Sequence, residues 1–369
     1  MSAAGSSVTS PEPLYSVQYL RAAAALAVVF YHVSVVSQKA WGLDPERIDH
    51  VGAAGVDLFF VISGFIMAMI VARPGVFDGR EFWIRRLARV APAYWVITFL
   101  VFVLAWQMPS LFHSTVADPY SLVTSLSFVA LEQNGGVTGP LLVVGWTLNY
   151  EVFFYAIVAL TAGLFSDRRL IGASAAIMVL VAAGLVFDPS NLSMAFYTNP
   201  ILVEFVFGVL IFHAWTRTRA DAPGLLPAAL LVTGLALLLW QWERPLAEWR
   251  AFYWGVPAAA VLYGGLGAFD FKSAFLARLG DWSYALYLTH VFVVTFYIKH
   301  GISMLTAIEV PWPVHYLIMT VLAFAVAAAF YTIVERPLSR WTLGVFTRQS
   351  AAKPKADAEP GGRATEPAE

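Results

Sequence analysis

The chain contains no cysteine, which excludes disulfides, thiolate nucleophiles and cysteine-ligated zinc. It is also poor in charge. Only 13% of its 369 residues are Asp, Glu, Lys or Arg, about half of the ~25% of a soluble domain. The two signs nearly cancel to a net charge of −1, so there is no basic footprint for nucleic acid. A cleaved signal peptide is missing too: residues 1–16 carry Glu12 and no Lys or Arg, and no small-residue cleavage site follows the first apolar run. No internal repeat or second domain is evident. What the sequence does have is apolar residues, 59% of the total, with a positive mean hydropathy. A water-soluble protein of this composition could not cover its surface, so lipid must be its solvent. Seven histidines remain as candidate bases or ligands.

A spanning helix needs ~20 largely apolar residues. About ten runs qualify, at 17–36, 53–72, 87–106, 142–164, 170–187, 197–215, 224–241, 251–269, 282–299 and 313–334. A shorter segment near 119–131 is expected to lie at the interface or re-enter. The expected fold is therefore an all-α polytopic membrane protein of about ten transmembrane helices. The positive-inside rule orients it. With a cytoplasmic N-terminus, Arg21, Arg73, Arg80, Arg85, Arg86, Arg89, Arg168, Arg169, Arg217, Arg219, Lys272, Arg278, Arg336, Arg340, Arg348, Lys353, Lys355 and Arg363 fall inside. Only Lys39, Arg47, Arg244, Arg250 and Lys299 fall outside. Both termini are thus expected in the cytoplasm. The chain divides into a cytoplasmic segment 1–16, a transmembrane region 17–340 and a polar tail 341–369, read as a short interfacial stretch and disorder. The chemistry is expected among the helices.

Ionisable groups inside spans are costly, and each is a functional candidate; the bland alternative is a hydrogen bond that fixes packing. Span 1 places Arg21 and His32 eleven residues apart, on one helix face and ~16 Å apart along the axis. Arg21 is either a snorkelling anchor or part of a site. His32, deep in the span, can accept a proton near neutral pH. Asp57 either caps span 2 or orients an imidazole. Arg85, Arg86 and Arg89 read as an interfacial anchor or as a phosphate clamp, since guanidinium groups bind phosphate in bidentate fashion. Trp146, Asn149, Tyr150 and Glu151 sit in span 4, Glu204 in span 6 and His290 in span 9. Glu335-Arg336-Pro337 ends span 10, as a helix stop with a local ion pair or as a site residue. Basic groups at one face, with His and carboxylates deeper, suit a ligand with an anionic head and a reactive end.

The combination R-x10-H (Arg21, His32), GVDLFFVISGF (55–65), RRLARVAPAYW (85–95), GWTLNYEVFFY (145–155), GDWSYALYLTH (280–290) and VERP (334–337) resembles the membrane acyltransferase-3 family. The resemblance runs from about residue 16 to 340, in family order, and is closest to the exopolysaccharide-production (ExoZ-like) O-acetyltransferases. It implies a ten-helix core that takes an acyl group, acetyl by default, from cytoplasmic acyl-CoA to a glycan hydroxyl. The acceptor would be exopolysaccharide or its lipid-linked precursor. Acyl-CoA would be a donor substrate, with no permanently bound cofactor and no metal. The location implied is a bacterial inner membrane. Carried over by position, His32 is the expected base, and Arg21, Arg85, Arg86 and Arg89 serve the donor. Asp57, Glu151 and Glu335 match acidic positions whose roles are less settled; the resemblance groups Asp57 and Glu151 with His32 as catalytic candidates and Glu335 with the donor-binding ones.

The expected chemistry has His32, oriented by Asp57 or Glu151, deprotonating the acceptor hydroxyl; an acyl-histidine intermediate is equally open. The rival class is a permease for a lipid-linked sugar or small solute. Against it stands the absence of paired half-helices or inverted repeats. Acceptor specificity is expected in the external loops 37–52, 107–141 and 242–250.

Overall fold

Without water to bind backbone amides, a segment in lipid must satisfy its hydrogen bonds internally, and helices are the outcome here. The computed structural model describes residues 14–41, 50–73, 77–109, 117–133, 139–164, 169–218, 224–240, 249–269, 271–301 and 310–351, with 75, 115, 136 and 137 besides. The first three helices are α1 (Tyr15–Trp41), α2 (Ala54–Val71) and α3 (Gly79–Gln107). The short α4 (Pro119–Leu126) precedes α5 (Trp146–Leu164), α6 (Arg169–Phe187), α7 (Leu192–Tyr197) and α8 (Val203–Thr218). Then come α9 (Leu225–Trp240), α10 (Val256–Ala268) and α11 (Ala274–Phe296). The chain closes with α12 (Trp312–Phe330) and α13 (Arg336–Ala351), joined by the π-helical turn Tyr331–Glu335. A two-residue antiparallel pair, Glu132–Gln133 with Gly136–Val137, is the sheet content among the described residues.

Every expected apolar run lies on a helix. Among the described residues, seven helical stretches are long and apolar enough to cross a membrane: 15–37, 54–71, 79–107, 143–162, 170–187, 192–218 and 313–346. The three others fall short of that measure. Helix α9 has 16 residues, the run at 251–269 divides into a π-helical turn and the 13-residue α10, and α11 opens on a polar stretch, Arg278 to Ser283. Lipid-facing surface is plain on several helices: Val186, Phe187, Leu225, Leu239 and Ile333 are between 61% and 89% exposed. Water would penalise that much contiguous apolar area. This is a multi-pass membrane protein. Helix α4 fits the short segment foreseen near 119–131; the Asp118 carboxylate caps it, accepting from the amides of Tyr120 (2.8 Å) and Ser121 (3.0 Å).

Helix α2 is the most enclosed, with 72% of its span buried, against 17% for 313–346. It packs on α1 and α8. The α2–α8 crossing is closed by glycines: a Cβ on Gly64 would overlap the carbonyl oxygen of Phe205, and one on Gly208 that of Val61. Small residues permit this approach between membrane helices. Helix α1 also packs on α11, α11 on α12, and α13 returns along α3. Helix α13 passes residue 340, where the tail was expected to begin, and reaches Ala351. Residues 1–13 and 352–369, and 42–49, 110–114 and 241–248 of the expected specificity loops, lie outside the described residues.

Candidate active site

The arginines come first because their helix starts just before them. Asp78 caps α3 by accepting from the amides of Arg80 and Glu81. Arg85, Arg86 and Arg89 follow within three turns and, with Arg21 of α1, line a cavity of about 420 Å³. Their charges are not equally available. Arg85 is half-exposed and paired with Glu81 at 2.6 Å. Arg89 donates to Glu335, whose side chain is fully buried, and lies 5.7 Å from the ring centroid of Tyr284. Arg21 donates to Gln18 at 3.2 Å. The buried Nε of Arg86 has no hydrogen-bond partner in the protein. Among the described residues, Arg21 and Arg86 are thus the two cavity arginines with no carboxylate at ion-pair distance. Glu335, one of the donor-binding candidates, serves first as the counter-ion of Arg89.

Glu151 faces this cavity as well, accepting from Tyr155 Oη and from Ser63 Oγ at 3.2 Å. The remaining walls are mostly apolar and aromatic, with Phe59, Phe60 and Tyr284 beside Thr147 and Tyr287. Tyr287 Oη is tied to Thr147 Oγ1 (2.8 Å) and to the Val144 carbonyl (3.0 Å). Its ring centroid is 6.0 Å from those of both Phe59 and His290.

His290 stands behind that ring, fully buried, and it is the partner of His32. The ring centroids are 4.8 Å apart, with His290 Nε2 3.2 Å from His32 Nδ1. Hydrogen bonding fixes the tautomers. His290 Nδ1 lies 2.9 Å from the Leu286 carbonyl and His32 Nδ1 lies 3.0 Å from that of Val28. A carbonyl can only accept, so both Nδ1 atoms carry hydrogen. The single His32 Nδ1–H is then shared between the Val28 carbonyl and His290 Nε2, which leaves the lone pair on His32 Nε2, with no hydrogen-bond partner among the described residues. A neutral imidazole held this way is a general base or a nucleophile.

Neither carboxylate expected to orient His32 does so. Asp57, fully buried, takes both ends of the Arg250 guanidinium at 2.8 Å. Arg250 also donates to the Ala53 carbonyl at 3.2 Å and sits 4.8 Å from the Trp254 ring centroid. Glu151 is engaged at the cavity. Glu204 is fully buried beside the Asp57 carboxylate and the Arg250 guanidinium, and its side chain touches the space beside Gly255, in the turn that follows Arg250. Asn149 is buried with Oδ1 unpartnered. Trp146 and Tyr150 ring Phe60, and Tyr150 stacks on Phe196 at 3.9 Å. The site thus has two chambers: an arginine-lined cavity, and a histidine pair one ring behind its wall. Sequence reasoning missed Arg250, Tyr287, Ser63 and Tyr155. The last three lie inside the motifs, at Tyr287 three residues before His290 and Tyr155 four after Glu151, so helical spacing was the available signal. Arg250, assigned to an outer loop, gave none. Among the described residues no three His, Asp or Glu side chains gather as a metal site.

The family described as an acyltransferase domain, acyltransferase 3, matches residues 14–332. The exopolysaccharide production protein ExoZ of Rhizobium meliloti (strain 1021) is 34% identical over 308 residues, covering 80% of this chain and 93% of that protein. The acyltransferase MdmB of Streptomyces mycarofaciens is 28% identical, covering 77% of this chain and 79% of its own length. The putative peptidoglycan O-acetyltransferase YrhL of Bacillus subtilis (strain 168) is 25% identical over 89% of this chain, which spans 55% of YrhL. No solved structure matches the chain.

Proposed function

The chain belongs to the acyltransferase-3 family, and from that premise we propose that it transfers an acetyl group from cytoplasmic acetyl-CoA to a hydroxyl of an exopolysaccharide or its lipid-linked precursor. The observation that carries this reading is the free Nε2 lone pair of His32, fixed by Val28 and His290 on the helix whose Arg21 lines the arginine cavity. The protein sits in a bacterial inner membrane with ten spans and both termini in the cytoplasm, so the arginines face the donor side. The donor phosphates meet Arg86 and Arg21, with Arg85 at the rim, and the acyl thioester extends along the apolar walls toward Tyr287. The acceptor approaches His32 from its other, partly exposed side.

His32 Nε2 takes the proton of the acceptor hydroxyl as its oxygen attacks the thioester carbonyl. The tetrahedral intermediate collapses, the sulfur leaves, and the imidazolium returns the proton to it, releasing ester and free thiol. General-base help of this kind contributes ~10²–10⁴-fold. The Tyr287 ring must swing from Thr147 for the two chambers to join. Asp57–Arg250 is a structural pair in this scheme, and Glu151 shapes the donor cavity. The test is thiol release and ester formation by purified protein with acetyl-CoA and a saccharide acceptor. Wild type turns over, His32→Ala loses at least about a hundredfold, and circular dichroism stays unchanged. Full activity in His32→Ala refutes the assignment, and solute uptake without turnover refutes the enzyme.

A further inference from the structure

The last helix lies beyond residue 332, where the family match ends, yet it forms part of the cavity. Ser339 and Leu343 of α13 are among the lining residues, and Glu335 just before it is the buried partner of Arg89. The three positions are four residues apart, so they form one stripe along one helix face, ~12 Å long. The opposite side is turned away: Trp341 is 69% exposed. The stretch Pro313–Phe346 runs 34 residues without a break, ~51 Å of helix against a hydrocarbon layer of ~30 Å. Its final turns, with Arg336 and Arg340, therefore stand outside the hydrocarbon, against α3 and next to the arginines. Three polar atoms of the cavity wall, Arg86 Nε, Ser283 Oγ and Ser339 Oγ, are buried and lack partners in the protein. Buried polar groups are ordinarily satisfied, so a ligand with both donors and acceptors is what this wall is missing.

We propose that α13 is a wall of the donor entrance and that Ser339 and Leu343 grip the pantetheine arm of the acyl-CoA, while Arg86 beside them takes phosphate. The inference rests on the acyl-CoA reading above and goes further, assigning donor recognition to a segment outside the matched family region. The chemistry suits the occupant: the arm is a flexible chain of amides and short alkyl segments, which Ser339 Oγ meets by hydrogen bonding and Leu343 by packing. The counter-ion role of Glu335 then fastens the base of the same helix to α3, holding the stripe in register with the arginines.

The absence of native cysteine makes a direct test clean. Single-cysteine variants of the full chain, Ser339→Cys, Leu343→Cys, Ser63→Cys deep in the cavity and Trp341→Cys on the outward face, are labelled with a maleimide with and without S-ethyl-coenzyme A, which has no free thiol. Occupancy slows labelling by 1 + [L]/Kd, about tenfold once the probe stands tenfold above its Kd. Protection at Ser339→Cys and Leu343→Cys with none at Trp341→Cys is the expected result. Protection at Ser63→Cys without protection at the two helix positions overturns the inference and leaves the donor reading standing. No protection at any position overturns both. Equal protection at Trp341→Cys overturns it also, by showing a global closure in place of a contact. As a kinetic companion, Leu343→Ala and Ser339→Ala raise KM for acetyl-CoA severalfold while kcat stays within about twofold; an equal fall in kcat and kcat/KM refutes the grip.

Discussion

Asp57→Asn separates two readings of a carboxylate that the sequence places near His32. Asp57 is fully buried, and Arg250, 17% exposed, donates to both of its oxygens at 2.8 Å. Removing one half of a buried ion pair costs about 3–5 kcal/mol, most of it the stranded charge. One feature pulls toward the lower figure: the Trp254 ring 4.8 Å from the guanidinium, worth about 0.5–2 kcal/mol. We expect about 3 kcal/mol, hence a Tm lowered by roughly 6–12 °C. Arg250→Met should be at least as harmful, since it leaves the buried Asp57 carboxylate without its cation. The double variant Asp57→Leu/Arg250→Met should return to within about 1 kcal/mol of wild type, as buried pairs replaced by apolar side chains often do. The assay is thermal unfolding of detergent-purified protein followed by size exclusion, with acetyl transfer measured per folded molecule. Activity per folded molecule should stay within about twofold, because neither residue touches His32. An Asp57→Asn protein of unchanged Tm and abolished turnover, with Arg250→Met behaving as wild type, refutes this and returns Asp57 to the catalytic centre.

Three further outcomes follow from the same geometry. His290→Phe removes one of the two acceptors of His32 Nδ1–H while Val28 still holds the tautomer; kcat should fall about tenfold, the worth of roughly one neutral hydrogen bond, and His290→Gln should recover part of it. Arg86→Gln takes a cation out of the cavity and should raise KM for acetyl-CoA about tenfold or more with kcat little changed, as steady-state kinetics over a donor series would show. Gly64→Ala forces a methyl against the Phe205 carbonyl at the α2–α8 crossing and should cost about 1–3 kcal/mol, read as a lower Tm; an unchanged Tm would show that the crossing can open without penalty.

Polarity in an apolar setting made much of the site visible from residue order alone. Arg21, Arg86, Glu151 and His290 are conspicuous because lipid penalises them, and each lies at the cavity or the histidine pair. Partnership was less visible. Asp57 and Arg250 are 193 residues apart, as His32 and His290 are 258 apart, and no local spacing rule reaches that far. Arg250 counted as one of five outer cations, yet it is drawn in by a buried carboxylate. Glu335 looked like a site residue or a local pair; it is the counter-ion of Arg89, 246 residues away. The boundary at 340 followed the fall in hydropathy. Helix α13 persists through it because it packs on α3, with Ser339 and Leu343 lining the cavity and Glu335 paired with Arg89.

The sequence by itself determined the solvent, the helical class and the chemical inventory. A chain with 59% apolar residues and runs of ~20 must place helices in lipid, since no other open structure satisfies its backbone there. The absence of cysteine likewise excluded thiolate chemistry and left histidines and carboxylates as the candidate bases. Tertiary structure alone decided which charges neutralise each other, which cavity arginines keep no counter-ion, and which nitrogen of His32 bears the lone pair. Those are properties of contacts between distant segments: a guanidinium's availability depends on whether a carboxylate from another helix arrives beside it. So does the separation of the two chambers, which comes down to one tyrosine ring held by Thr147 and the Val144 carbonyl.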